Sequence, residues 1–275
     1  MYQRIIGETF LQRKTPEQKA AFRAWLKEEM VKLGYAVREE TNGSSVNVIA
    51  GDVEQAEIIL CTHYDTPAKR LWPDWHFPRN PLAFILYQGV QVVWMAAISF
   101  GLMLGAALIS GSSRLGLWMF VAAYLGQIAL MLLGPASRKP HGSGLAFLLN
   151  ELAAVPQEDR DRMAVIFWDN SCKGQLGSRA WAKAHPQQAY TSLTVNVDAL
   201  SPEGDWLLMP SRLARTHPAY AETETRLRRR WGENLKCYAG LGCVRIADER
   251  SFRCGVTLTR CRKIPLIGYF TQEKG

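Results

Sequence analysis

Two long uncharged stretches divide the chain. No Asp, Glu, Lys or Arg occurs from Pro81 to Ser113, and none from Leu115 to Ser137. Both stretches are apolar on all faces and long enough to cross a bilayer as helices, unlike a core helix with a single buried stripe. Gly111-Ser112-Ser113-Arg114 is a tight polar reversal between them. The pattern predicts a transmembrane helical hairpin over 81–137, with spans of about 81–109 and 115–133. It separates the first part of a soluble domain, 1–80, from the remainder, 138–275. Gly101, Gly105 and Ala106 give the first span a small-residue face suited to helix packing, within the hairpin or against a membrane-protein partner.

Outside the hairpin, strand-like and helix-like periods alternate. Thr15-Pro16-Glu17-Gln18 is a helix start with a reciprocal cap, and Ala21, Phe22, Trp25, Leu26 and Met30 follow at helical spacing until Gly34. Two strands, 35–39 and 45–50, flank the turn signal Thr41-Asn42-Gly43. The run Ile58-Ile59-Leu60-Cys61-Thr62-His63-Tyr64-Asp65-Thr66 reads as a buried strand whose end carries His63 and Asp65 on one side. After the hairpin come a helix over 145–155, a strand over 163–168, a helix over 174–185 and a strand over 193–197 ending at Asp198. A helix over 218–235 and short late strands at 256–258 and 264–269 complete the pattern. Such alternation predicts an α/β fold, a three-layer sandwich around a mostly parallel mixed sheet, interrupted by the hairpin. Chemistry in such folds gathers at the carboxyl ends of the strands, where His63, Asp65 and Asp198 fall. On these residues alone the cluster is either a metal site or a hydrogen-bonded strand end.

Net charge is +8, concentrated in the soluble parts, which favours anionic partners. Arg226, Arg228, Arg229 and Arg230 crowd one helix and are candidates for contact with anionic lipid; Glu222 and Glu224 upstream are placed to pair with Arg226 and Arg228 instead. No nucleic-acid partner is expected. Lys69, Arg70, Arg79, Arg138 and Lys139 flank the spans on the side of the soluble domain, against Arg114 alone at the tip. The positive-inside rule then makes the protein integral to the membrane with its soluble domain cytoplasmic. Six scattered cysteines without a C-x-x-C pair fit a reducing compartment rather than a disulfide framework.

Five motifs carry a resemblance: Asn47-Val48-Ile49-Ala50, Cys61-Thr62-His63-Tyr64-Asp65-Thr66, Phe167-Trp168-Asp169-Asn170, Leu176-Gly177-Ser178-Arg179-Ala180 and Asn196-Val197-Asp198. In this order they are similar to the co-catalytic zinc aminopeptidases of metallopeptidase family 28, in particular to membrane-bound bacterial relatives with a hairpin inserted after the His-x-Asp motif. The resemblance implies a phosphorylase/hydrolase-like fold and a site in which two zinc ions share a bridging Asp and activate a water, with a Glu as general base.

Carried over residue by residue, the resemblance makes His63 a zinc ligand oriented by Asp65, and Asp198 a second ligand. The bridging Asp is replaced by Pro140, in Pro140-His141-Gly142-Ser143-Gly144. The base and its neighbouring ligand, a Glu-Glu pair in the family, are Ser171-Cys172. The last histidine ligand is Phe270. Two of the ligands survive, with His141 and Cys172 as possible substitutes for a single zinc. The expectation is a membrane-anchored pseudo-peptidase that acts by binding peptide ends or a membrane partner, without zinc. The alternatives are a metallo-aminopeptidase or hydrolase with one zinc, and a structural subunit of a membrane complex.

Overall fold

A computed structural model of the chain describes residues 1–68, 75–77, 80–134, 142–238, 251–264 and 268–272. Pro140, His141, Trp72, Cys243 and the five flanking basic residues Lys69, Arg70, Arg79, Arg138 and Lys139 lie outside the described residues.

The chain opens with α1 (Tyr2–Glu8) and α2 (Pro16–Lys32), followed by β1 (Val37–Asn42), β2 (Ser45–Ala50), β3 (Ile58–His63) and the two-residue β4 (Trp75–His76). Two long helices come next, α3 (Pro81–Ser110) and α4 (Ser113–Leu133). The chain continues through α5 (Ser143–Ala154), α6 (Gln157–Arg160), β5 (Met163–Trp168), α7 (Leu176–Ala184), α8 (Pro186–Thr191), β6 (Leu193–Leu200) and β7 (Asp205–Pro210). It ends with α9 (Pro218–Trp231), β8 (Leu235–Cys237), β9 (Gly255–Ile264) and β10 (Gly268–Gln272).

One mixed sheet runs in the order β1-β2-β5-β3-β6-β9-β10-β4, with β7 pairing β8 and β9. Its centre is parallel, β5 against β3, β3 against β6 and β6 against β9, and its flanks are antiparallel. The centre is buried on both faces. Phe22, Leu26 and Met30 of α2 and Leu145, Leu148, Leu149 and Leu152 of α5 cover one face. Trp181 of α7 packs with Trp168 and Phe252 on the other.

The capping box predicted at the start of α2 forms in full: the Gln18 N–H reaches the Thr15 hydroxyl, and the Gln18 side chain accepts from the Thr15 N–H. Elements absent from the sequence reading are α1, β4, α6, α8, β7 and β8, and the helix expected over 218–235 ends at Trp231, with Leu235 opening β8. The strand β7, Asp205–Pro210, is apolar along its length because five of its six positions are buried, so no period marks it.

Among the described residues, helices α3 and α4 pack chiefly on each other. In the apolar window of each, 11% of residues are buried, and Leu86, Val90, Val93, Trp94, Leu108, Leu117 and Trp118 stand exposed. Both are long and apolar enough to cross a membrane. The small-residue face at Gly101 and Gly105 does not form the contact between them: a Cβ on either would meet nothing. The close approach is at Gly116, where a Cβ would lie 2.8 Å from the Met103 carbonyl and 3.0 Å from Ala107 Cβ. One polar clamp adds to it, the Gln127 amide donating to Ser99 Oγ at 3.0 Å and to the Met95 carbonyl at 3.2 Å.

A buried ion pair ties α2 to the sheet. Lys19 Nζ lies 2.5 Å from Asp169 Oδ1 and 2.7 Å from Asn170 Oδ1, with side chains 8% and 4% exposed for the charged pair. Asp169 also accepts from the Val46 N–H at 3.1 Å. Removing one partner of such a pair strands a buried charge. Lys19→Met is therefore expected to lower unfolding stability in denaturant titrations by about 3–5 kcal/mol, and Lys19→Met with Asp169→Asn by less than Lys19→Met alone.

Candidate functional site

The site forms where the parallel strands end. His63 is the last residue of β3, and Asp198 belongs to the neighbouring β6. The sequence pattern places the end of that strand at Asp198; β6 instead runs on to Leu200, with its register against β9 shifting between Val197 and Leu200. Irregularities of this kind re-aim a side chain at a strand end, and here the Asp198 carboxylate reaches His63 Nε2 at 3.4 Å. Gly144, in the first turn of α5, allows the helix to close over this point: a Cβ there would lie 2.6 Å from the Val197 carbonyl.

On the other side of β3, β5 leads into a tight turn. Asn170, Gly174 and Gln175 are left-handed around a 3-10 turn at Ser171–Lys173. That turn points two backbone N–H groups at one carboxylate. Asp65 Oδ1 accepts from Ser171 at 3.1 Å and Oδ2 from Cys172 at 3.0 Å. Asp65 Oδ1 also lies 3.3 Å from His63 Nδ1, and the Asp65 carbonyl 3.2 Å from it. Both nitrogens of one imidazole thus face carboxylates. Cys172 is an exposed residue whose Sγ turns inward, 3.8 Å from the Asp65 carbonyl.

These contacts set the protonation. Burial works against a charged His63, but Asp198, then Cys172 and Asp65, hold its pKa well above the ordinary histidine value. Burial alone would raise the Asp65 carboxyl; the hydrogen bond and charge of His63, then Lys19 and the Cys172 N–H, bring it below its usual value. Desolvation pushes the Cys172 thiol up to about 12, Asp65 adding to the rise and His63 opposing it.

The structure therefore brings His63, Asp65, Asp198, Ser171 and Cys172 to one place. Pro140 and His141 lie outside the described residues, and for Phe270 only the backbone is described, in β10 opposite Arg262. The set does not fit a pair of zinc ions. Among the described side chains of the cluster the carboxylates are Asp65 and Asp198, and both Asp65 oxygens already accept N–H groups. A single ion fits in part. One ligand atom each from His63, Asp65 and Cys172 lie within 4.8 Å of one another, and Asp198 is within reach of His63. Imidazole, carboxylate and thiolate are all zinc donors, but the imidazole and the thiol must each first release a proton.

The sequence reading missed Lys19 and Asp169 as members of this edge. The signal was there: Lys19 occupies the same helical face as Phe22, Leu26 and Met30, where a lysine is tolerated only with a buried partner. The arginine cluster of α9 is engaged elsewhere. Arg226 pairs with Glu222 and Asp159, Arg228 with Glu224, and Arg230 with Glu151. With Glu57 and Arg162, Arg226 lines a cavity that also touches Ile58 and Met163, the first residues of β3 and β5. That is the opposite edge of the sheet from His63.

Comparison with known proteins bears on the fold. Residues 141–239 match the model of Peptidase family M28. No curated protein is significantly similar to the chain. Among solved structures, a glutaminyl cyclase of Porphyromonas gingivalis superposes with a TM-score of 0.54 at 13% identity, over 98% of this chain and 84% of that one. A glutaminyl cyclase of Fimbriiglobus ruber gives 0.46 at 15% identity, over 92% and 81%. LapA aminopeptidase of Legionella pneumophila gives 0.45 at 11%, over 95% of this chain and 60% of that one. At these identities the likeness is one of fold: the α/β sandwich expected from the sequence is shared with the first of these structures.

Two expectations follow from the protonation pattern. In chelator-washed protein, NMR of ring-labelled histidine should find His63 titrating above the ordinary value near 6.5, and Asp198→Asn should lower that midpoint. Because the folded value is the higher, the stability it contributes is complete below about pH 6.5 and is lost as pH rises through the folded pKa. Cys172, although surface-accessible, should alkylate with iodoacetamide far more slowly at pH 7.5 than an unperturbed thiol, with the rate still rising above pH 10.

Proposed function

We propose that the chain is a membrane-anchored protein of the M28 peptidase fold, with its α/β part in the cytoplasm, whose cleft binds a ligand without hydrolysing it. The observation that carries this reading is the closed polar cluster: His63 spans two carboxylates, and the turn that would present a general base presents Ser171 and Cys172 instead. A serine hydroxyl does not accept a proton from water near neutral pH, and losing a general base costs a factor of about 10²–10⁴. The Pro140 side chain supplies no oxygen to bridge two metals. The membrane part of the reading is supported by the exposure of α3 and α4, since apolar faces of that extent are stable only when covered. The cytoplasmic side follows from the basic flanks of the hairpin. Peptide ends are the ligand class this fold offers, and a membrane protein docking on the hairpin is the other candidate.

A second reading has its own support. His63 and Cys172 belong to a group of donors, with Asp65, within 4.8 Å of one another, and Asp198 lies 3.4 Å from His63; His63, Asp198 and Cys172 would hold one zinc in a metallo-hydrolase that no longer uses a carboxylate base. Bound there, the ion would supply a Lewis acid to a carbonyl; the chain's own residues would orient it, with Asp65 holding the imidazole.

Elemental analysis and turnover on purified, full-length protein separate the two. The binding reading expects substoichiometric zinc and no metal-dependent aminopeptidase turnover. About one zinc per chain, lost in Asp198→Ala and accompanied by hydrolysis that His63→Ala abolishes, would overturn it in favour of the second.

A further inference from the structure

A small cavity of about 30 Å³ lies against the cluster, lined by Lys14, Lys19, Lys173, Asp65, Thr66 and Cys172, with Met131. Its composition differs from that of the cluster. Lys19 is neutralised by Asp169. Asp65, the only carboxylate of the lining, is committed to His63 and to two backbone N–H groups. Lys14 and Lys173 therefore face the cavity as two positive charges with no carboxylate within ion-pair distance among the described residues. Their proximity is felt: burial, then the charge of Lys173, pulls the Lys14 amine below its ordinary value. The Thr66 hydroxyl is 3% exposed and accepts the Arg13 N–H at 2.9 Å, which leaves its own hydrogen to donate.

Met131 fixes where this cavity is. It belongs to the last turn of α4, and Lys14 Nζ donates to the carbonyl of Gly134, the residue that caps that helix. The two amines thus sit at the end of the apolar hairpin from which the chain returns to the α/β domain. If α4 spans a bilayer, that end lies at the level of the lipid phosphates.

We propose that Lys14, Lys173 and the Thr66 hydroxyl form a binding site for the phosphate headgroup of an anionic lipid in the leaflet the hairpin enters. The cavity has room for one or two water-sized groups, matching phosphate oxygens rather than a peptide side chain. Two ammonium groups and a hydroxyl supply the donors that such oxygens accept. The lipid would sit beside Asp65 and Cys172, so that occupancy of the headgroup site and of the cleft are linked. The inference rests on the membrane reading above, but not on whether the cleft hydrolyses.

The test uses the full-length protein in mild detergent, with native mass spectrometry counting retained lipid after addition of dioctanoyl phosphatidylglycerol or dioctanoyl phosphatidylcholine. One phosphatidylglycerol per chain should be retained in preference to phosphatidylcholine, and Lys14→Ala with Lys173→Ala should weaken that retention roughly tenfold or more. Because Lys14 also holds the end of α4, Lys173→Glu, on an exposed residue, is the variant that cannot be explained by misfolding; it too should weaken retention. Arg226→Ala should change nothing. Equal retention of the two lipids, or retention unchanged in Lys173→Glu, overturns the proposal. Inorganic phosphate binding at these lysines without lipid preference assigns the site to a free anion and also overturns it. Carbonate washing of the membranes tests the premise separately: a chain released to the supernatant is not membrane-integral, whatever its lysines bind.

Discussion

The Asp65 carboxylate is the constraint on which the site depends. It is 2% exposed, and a buried carboxylate costs several kcal/mol unless donors replace its water. Here they do: two N–H groups from the turn after β5 and the ring of His63 at the end of β3 converge on it. One side chain thereby joins two strand ends and fixes the rotation of the imidazole between them. With His63 protonated, the Asp65–His63–Asp198 row carries a single net negative charge, and Lys19 lies close enough to help hold Asp65 ionised. The proton on His63 and the charge of Lys19 thus offset the two carboxylates of the row.

The position of the hairpin follows from the same edge. The chain leaves β3 at His63, passes through α3 and α4, and re-enters at α5, which packs on β6 beside Asp198. An insertion between two elements that both end at the cleft places its base next to the cleft. Lys14, bonded to the Gly134 carbonyl, and Met131, in the wall of the adjoining cavity, express this arrangement. The foot of the hairpin therefore borders the cluster at His63, while Arg226 of α9 lies by the first residues of β3 and β5.

Much of this was legible in the sequence, for particular reasons. The hairpin shows because charge is absent over two whole spans, a signal that needs no partner residues to interpret. His63, Asp65 and Asp198 show because strand ends in alternating α/β chains fall on one edge. Lys19 was legible in principle, as a lysine on an apolar helical face, but its partner Asp169 is distant in sequence and only the folded chain identifies it. The helix contact inside the hairpin was not legible: Gly101 and Gly105 have the spacing of a packing face, yet the contact is made by Gly116, because the short reversal at 111–112 fixes which faces meet. β7 was hidden by burial on both faces, which erases the alternation that announces a strand.

The turn after β5 shows how chemistry and fold separate. What Asp65 binds there is backbone, the N–H groups of Ser171 and Cys172, presented by left-handed Asn170, Gly174 and Gln175. These two contacts to Asp65 come from the main chain and do not depend on which side chains stand at 171 and 172. Carboxylates placed at both positions would add negative charge beside Asp65 and Asp198, against the charges of His63 and Lys19 that act on Asp65. The residues at 171 and 172 are therefore consistent with the charge of this edge, since neither adds a carboxylate beside Asp65 and Asp198.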